Sequence, residues 1–276
     1  MKTDTSEKGL EILICTALTG RACDPHPAIQ AREAGATYGT YGWLPGSPAD
    51  YEREYCVDLA HLSAFLQATQ PKIAGALDLA NDSPTRRKFL ARLQGEISKR
   101  GVIDVLRNGI QHGAHTIEVF YGTPSRGNAI AQERYAQNRF SVTRQLRYSR
   151  DETQLALDLC LFINGLPVIT FELKNSLTKQ TVADAIEQYK RDRDPREKLF
   201  EFGRCMVHFA LDDQEVYMCT HLKGKASWFL PFNQGWNDGA GNPPNPDGLK
   251  TDYLWKHILT RDSLTNIIEN YAQVIT

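Results

Sequence analysis

The chain has 276 residues, of which 41% are hydrophobic and 24% are charged, and its formal net charge is -1. This length and composition are typical of a globular protein with one large domain or two small ones. The near-zero charge excludes a global basic field, so an anionic partner has to be bound by a local patch. The N-terminus lacks a signal-peptide pattern and no apolar run is long enough to span a membrane, which predicts a cytoplasmic protein. The six cysteines form no CxxC pair and are expected to be free thiols.

The first part of the chain, residues 1–110, is predicted to be mainly helical. Apolar residues at helical spacing predict helices over 5–18, 58–70 and 84–107. The last of these begins at Ser83-Pro84, where a capping serine precedes a proline in the first turn. Between the first two helices, residues 20–56 are rich in Gly, Pro and Tyr and are expected to be irregular.

The second part, residues 111–276, is predicted to contain the central sheet and its flanking helices. Strands are predicted from β-branched and aromatic content over 114–122, 137–148, 204–211 and 214–220, with a hairpin over 154–174. Helices are predicted over 178–193 and 262–275, and a Gly/Asn/Pro-rich loop over 233–248. Helices followed by strands with an embedded helix predict an α/β protein with a mixed central β-sheet flanked by helices. Both parts are expected to form one compact domain.

The hairpin segment carries the residues that are most informative about chemistry. Asp158 lies on its first strand, Glu172 and Lys174 lie on its second strand, and Asn164-Gly165 joins the two. Two carboxylates favour a hard cation such as Mg2+, or Mn2+ in its place, and a neighbouring lysine can stabilise charge on a phosphate. The alternative interpretation is a salt-bridged acidic patch on a half-exposed sheet, because this spacing also arises by chance.

The register of the hairpin decides whether the two acids meet. A regular two-residue turn at Asn164-Gly165 places Asp158 opposite Phe171, so that Glu172 points to the other face. A three-residue loop with Gly165 in the left-handed conformation places Asp158 opposite Thr170, with Glu172 diagonal to it on the same face. We therefore predict a loop of odd length or a β-bulge.

Through Asp158, Glu172 and Lys174 the chain resembles the PD-(D/E)xK nucleases. It resembles most specifically the N-terminal endonuclease domain of the R (restriction and motor) subunit of type I restriction enzymes. The resemblance covers nearly all of residues 5–275, and long segments carry it, among them DVLRNGIQHG, LKGKASWFLPFNQGWNDGAGNPPNP and YLWKHILTRDSL. It implies a restriction-endonuclease-like core that cleaves double-stranded DNA with Mg2+. Asp158 and Glu172 are then the metal ligands and Lys174 is the catalytic lysine.

The same resemblance implies partners and a cofactor for the larger protein. The expected partners are the methylation and specificity subunits of a type I restriction complex. The family's ATP-driven motor carries a GxxxxGK[ST] phosphate-binding motif, and this chain contains none. We therefore expect the chain to stop before the motor, with ATP used only by that missing domain.

The family pattern also implies site residues on two helices. Gln188 matches a glutamine of the helix after the ExK motif and is expected to be catalytic by positioning the scissile region. Asp192 stands where a tyrosine usually follows, and Tyr189 lies directly after the glutamine. Related nucleases place an acid on the first helix, but we interpret Glu7 and Glu11 as part of a solvated helix face.

Basic residues on either side of the hairpin are candidates for contacts with the DNA backbone, which need positive side chains rather than sequence reading. The candidates before the hairpin are Arg139, Arg144, Arg147 and Arg150, and those after it are Lys179, Lys190, Arg191 and Arg193. The favoured ones are Arg139, Arg144, Arg147, Lys190 and Arg191. The alternative is a solvated face with scattered ion pairs. The rival to the nuclease hypothesis is a non-catalytic docking or regulatory module of the same complex, for which cation binding need not depend on Asp158.

Overall fold

The computed structural model describes residues 7–21, 42–151, 154–175 and 179–274. Its architecture confirms the predicted fold class, because a seven-stranded mixed sheet is packed against helices. None of the helices in the described part is both long and apolar enough to cross a membrane.

The helices are α1 (Glu7–Thr19), α2 (Leu59–Thr69), α3 (Pro71–Leu77), α4 (Pro84–Arg100), α5 (Val102–Asn108), α6 (Ala129–Ala136), α7 (Val182–Arg191) and α8 (Arg261–Asn266). Short π-helical segments are Leu254–Ile258 and Ile267–Tyr271. The strands are β1 (Leu44–Pro45), β2 (Tyr51–Glu52), β3 (Val57–Asp58), β4 (Ile110–His112), β5 (His115–Ile117), β6 (Phe140–Arg147), β7 (Ala156–Ile163), β8 (Leu166–Leu173), β9 (Val207–Leu211), β10 (Val216–Cys219) and β11 (Leu230–Pro231).

The main sheet has the strand order β1-β6-β7-β8-β9-β10-β11. The pairs β1/β6 and β8/β9 are parallel, and the other neighbouring pairs are antiparallel. A parallel pair needs a crossover connection, and α7 provides the one between β8 and β9. This helix therefore packs on the sheet beside the end of the hairpin.

Each face of the sheet packs against its own cluster of buried side chains. Along β7, Leu159 and Leu161 belong to the first cluster, while Cys160 and Phe162 belong to the second. Helices α1, α2, α4 and α5 contribute to the first cluster, and α7 contributes to the second. The hairpin is thus buried on both faces, rather than having one apolar and one solvated face.

The hairpin turn has two residues, so the loop of odd length is not the alternative that the chain adopts. Asn164 and Gly165 both have positive φ, at 50° and 81°, and Ile163 pairs with Leu166. Positive φ at both central positions is the requirement of a type I′ turn, which suits the right-handed twist of the strands.

A β-bulge follows the turn, and this part of the prediction is confirmed. Phe162 pairs with Pro167, but Leu161 pairs with Ile169, which leaves Val168 as an extra residue on β8. One extra residue reverses the facing of every later side chain relative to a regular hairpin. The bulge therefore brings the two acids of the hairpin to one face.

Several predicted boundaries differ from the structure. The helix expected over 84–107 is divided by Gly101, whose φ of 81° does not continue a helix. The division of the chain at residue 110 into a helical part and a sheet-containing part stays a prediction. Leu44 of the first part pairs with Ser141 in the main sheet.

Four of the cysteines are free thiols, and one is disulfide-bonded. Cys56, Cys160, Cys205 and Cys219 are free and buried, as predicted. Cys15 is disulfide-bonded, which corrects the prediction of six free thiols. Cys23 lies outside the described residues.

Candidate metal-binding site

Three polar residues form a row across adjacent strands β6, β7 and β8. Asp158 lies at the centre of this row. The pairs Arg144–Leu159 and Leu146–Leu157 place Gln145 opposite it on β6. On the other side, the pair Leu159–Phe171 places Glu172 opposite it on β8. Directly opposed residues of antiparallel strands have neighbouring side chains, so the row is a compact polar group.

Asp158 is fixed from both sides of its carboxylate. The side chain is buried, with 8% of the residue exposed. Its Oδ2 accepts the backbone N–H of Leu173 at 2.7 Å, and its Oδ1 accepts an N–H of the Gln145 amide at 3.3 Å. The carboxylate is thereby oriented before any ligand arrives.

Glu172 is fully buried, and only one of its two carboxylate oxygens has a hydrogen-bond donor. Its Oε1 accepts Nε–H of Arg193 at 2.6 Å, while its Oε2 is buried without a hydrogen-bond partner. Burial raises the pKa of this carboxyl to about 8; Arg193 lowers it and Asp158 raises it. Buried carboxylate oxygens are rarely left without a donor, so this oxygen is a place where a proton and a cation would compete.

Arg193, a sequence candidate for contact with the DNA backbone, is instead buried against Glu172. It lies two residues beyond the end of α7 and donates to the Tyr148 hydroxyl at 3.2 Å and to the Ala156 carbonyl at 2.7 Å, besides binding Glu172. Burial lowers its pKa, but the adjacent carboxylate outweighs this and raises the pKa above its usual value. The available signal was its spacing, four residues after Tyr189 on the buried side of the helix.

Glu11 also belongs to this group, which corrects its interpretation as part of a solvated helix face. The residue is 3% exposed on α1. Its Oε1 accepts Nε–H of Arg144 at 2.5 Å, and its Oε2 accepts the Gln145 amide at 2.9 Å. A third carboxylate is thus linked to Asp158 through one amide. The Glu7 side chain lies outside the described part of the structure.

Lys174 lies at the end of β8, next to the row of polar residues. It is 7% exposed, and its backbone N–H donates to the Leu211 carbonyl at 2.9 Å. Its positive charge lowers the pKa of Glu172. The side chain therefore contributes positive potential where the two hairpin acids meet.

Gln188 is not joined to the acids. The residues that α7 buries are Val182, Ala185 and Tyr189, and the Tyr189 hydroxyl hydrogen-bonds Thr170 Oγ1 at 2.8 Å. Gln188 is half-buried, and no hydrogen bond described here links its side chain to the hairpin. Its proposed role stays a prediction.

The candidate DNA-binding residues have different surroundings. Arg144 binds Glu11, and Arg139 Nε lies 3.0 Å from His61 Nδ1. Arg191 and Lys190 pair with Glu187 at 2.7 and 4.0 Å, and Arg147 is exposed. Contact of these residues with DNA stays a prediction.

The acids suit a hard cation without forming a ready-made cage. Within the described ranges, no group of three or more His, Cys, Asp or Glu side chains is arranged to hold a metal ion. Mg2+ usually needs only one or two carboxylates because it keeps several waters. The unpartnered Glu172 oxygen and the opposed Asp158 carboxylate supply this kind of donor set.

A family model and two curated relatives match this chain. The family model described as "Type I restriction enzyme R protein N terminus" matches residues 71–227, which include the hairpin and α7. A "Putative type I restriction enzyme MjaVIIIP endonuclease subunit" from Methanocaldococcus jannaschii is 24% identical over 200 residues, covering 67% of this chain and 17% of that protein. A "Type I restriction enzyme HindI endonuclease subunit" from Haemophilus influenzae is 29% identical over 135 residues, covering 46% and 12%. The chain thus spans less than a fifth of each of these relatives.

Proposed function

Because the chain belongs to the family of type I restriction enzyme R protein N termini, we propose that it is a metal-dependent endonuclease domain that hydrolyses phosphodiesters of double-stranded DNA. The observation that supports this is the opposition of Asp158 and Glu172 across β7 and β8. One Glu172 oxygen there is buried without a donor, and Lys174 directly follows the last residue of β8.

In this proposal Asp158 and Glu172 hold Mg2+ or Mn2+, with Glu11 as a neighbouring acid. A metal held by these residues would supply charge neutralisation at the phosphate and would lower the pKa of a water molecule. The Leu173 N–H and the Arg193 guanidinium orient the two carboxylates. The Lys174 ammonium stabilises the negative charge that develops on the phosphate oxygens, and Gln188 positions the scissile region.

The same proposal covers the choice of DNA target, the partner subunits and the compartment. Cleavage without sequence preference fits a domain whose target is chosen elsewhere, since the candidate backbone contacts are basic side chains rather than base readers. The proposed partners are specificity and methylation subunits, with ATP hydrolysed by a motor domain outside this chain. The proposed compartment is the cytoplasm.

The first experiment measures Mn2+ binding to the 276-residue chain by titration calorimetry. Asp158→Asn is expected to abolish binding, whereas Lys174→Met retains it. Asp247→Asn and Lys72→Met change the same residue types at exposed positions and are expected to behave as the unmodified chain.

The second experiment measures plasmid cleavage by the complete restriction complex that carries each variant. Asp158→Asn and Lys174→Met are both expected to abolish cutting, with DNA translocation intact. Undiminished cleavage by either variant rejects the assignment. The rival docking module predicts cation binding that is indifferent to Asp158→Asn.

A further inference from the structure

Gln145 connects two carboxylates that come from distant parts of the chain. Its Nε2 donates to Glu11 Oε2 at 2.9 Å and to Asp158 Oδ1 at 3.3 Å. Only the NH2 end of an amide can face two carboxylates, because the carbonyl end is an acceptor. A weakly positive group therefore sits between two acids.

The backbone of Gln145 is distorted to reach this position. Its φ is 48°, a left-handed value that costs a non-glycine residue free energy within a strand. Consecutive strand residues normally point to opposite faces, yet Arg144 and Gln145 both bind the Glu11 carboxylate. The distortion is what allows one residue to face Glu11 and Asp158 together.

We propose that the Gln145 amide is a latch: it bonds Glu11 and Asp158 in the absence of a cation, and it is displaced when a divalent cation binds Asp158 and Glu172 with Glu11 beside them. This inference rests on the proposed function, since it presupposes cation binding that depends on Asp158. The physical reason is charge compensation: the amide partly neutralises two acids, and a divalent cation does so far more strongly. Removing the amide leaves only Arg144 on Glu11 and the Leu173 N–H on Asp158, so the two acids are less compensated and more receptive to a cation.

The test compares Mn2+ dissociation constants of the full chain by calorimetry. Gln145→Ala is expected to bind Mn2+ about tenfold more tightly, because hydrogen bonds to charged groups no longer have to be broken. Gln145→Glu is expected to bind more tightly again, since it places a third carboxylate beside the pair. Gln132→Ala and Gln132→Glu, at an exposed position on α6, are expected to leave the constant unchanged.

A second readout is thermal unfolding in EDTA and in Mn2+. In EDTA, Gln145→Glu is expected to unfold at a lower temperature than the unmodified chain. When Mn2+ is added, its unfolding temperature is expected to rise by more than that of the unmodified chain. Gln145→Gly adopts a φ of 48° without strain and replaces Gln145→Ala if the alanine variant does not fold. Adding Glu11→Gln to Gln145→Ala is expected to cancel the gain in affinity.

The outcomes separate this inference from the proposed function. Mn2+ binding that persists in Asp158→Asn overturns the proposed function, and the latch with it. Binding that depends on Asp158 but is unchanged or weaker in Gln145→Ala overturns the latch alone, because a residue that only orients the acids would weaken binding when removed.

Discussion

Arg193 and Glu172 form an ion pair in the interior of the protein, with Nε and Oε1 2.6 Å apart and side-chain exposures of 3% and 0%. The pair lies between the end of α7 and the middle of the sheet. It holds the helix to β8 through the very carboxylate that we propose as a metal ligand. Structural support and candidate chemistry therefore depend on the same side chain.

Removing the arginine is expected to be costly. At about pH 9, above the pKa of Glu172, Arg193→Met leaves a buried carboxylate with neither oxygen paired and should lower the free energy of unfolding by about 3 kcal/mol, as for other broken buried pairs. Arg191→Met breaks an exposed pair with Glu187 and should cost less than about 1 kcal/mol. Urea unfolding followed by circular dichroism measures both. Equal losses in the free energy of unfolding would show that the buried pair stabilises the protein no more than the exposed pair does.

Cation binding should depend on pH through Glu172. Its pKa of about 8, raised by burial, means that the carboxyl holds its proton at neutral pH, and a cation must displace that proton. Mn2+ affinity should therefore rise by up to about tenfold per pH unit from pH 6 to about pH 8 and then level off. Calorimetry across this range measures it. A flat profile below pH 8 would mean that the carboxylate is already ionised.

Two buried histidines should make the fold sensitive to acid. Burial lowers the pKa of His208 to about 3, and burial together with Arg139 lowers that of His61 to about 4. An unfolded histidine has a pKa of about 6.5, so below that pH the unfolded state binds more protons. The stability they contribute is complete above pH 6.5 and is lost as pH falls toward their folded pKa values, by about 1.4 kcal/mol per unit for each.

The measurement of stability against pH must isolate one histidine, because Asp58 changes the free energy of unfolding in the opposite direction as pH falls. Burial raises the pKa of Asp58 to about 6, so the folded state takes up its proton first. His208→Gln should therefore be compared with the unmodified chain by urea unfolding from pH 4.5 to 6.5. The variant should show a shallower pH slope by about one proton. Parallel slopes would mean that His208 is protonated in the folded state.

The hairpin turn should not tolerate a side chain at Gly165. Its φ is 81°, and a Cβ there would lie 2.8 Å from Leu62 Cβ and too close to the Asp58 carbonyl. Gly127 has a φ of 80° but open space around it. Gly165→Ala should therefore lose at least about 2 kcal/mol more stability than Gly127→Ala, since both share the backbone strain and only one clashes. Thermal unfolding of the two variants measures the difference.

The sequence was sufficient for the parts of the site that depend on local pattern. Alternation and the Asn-Gly turn predict β7 and β8, and the parity argument predicts that an irregularity has to bring Asp158 and Glu172 to one face. The location of that irregularity at Val168 was not predictable, because a bulge depends on how both strands pack against their neighbours. The burial of Glu11 and Arg193 was missed for a related reason: whether a charged residue on a helix is solvated depends on what the helix approaches.

The link between Glu11 and Gln145 joins residues 134 positions apart in the chain. A hairpin such as β7–β8 closes a short loop and can form early, whereas bringing the first helix against β6 requires a much larger closure. The three acids therefore meet only in a chain that has completed its topology. The proposed cation affinity would therefore measure how much of the chain has folded, and a truncated or misassembled chain would retain two acids of the site without the third.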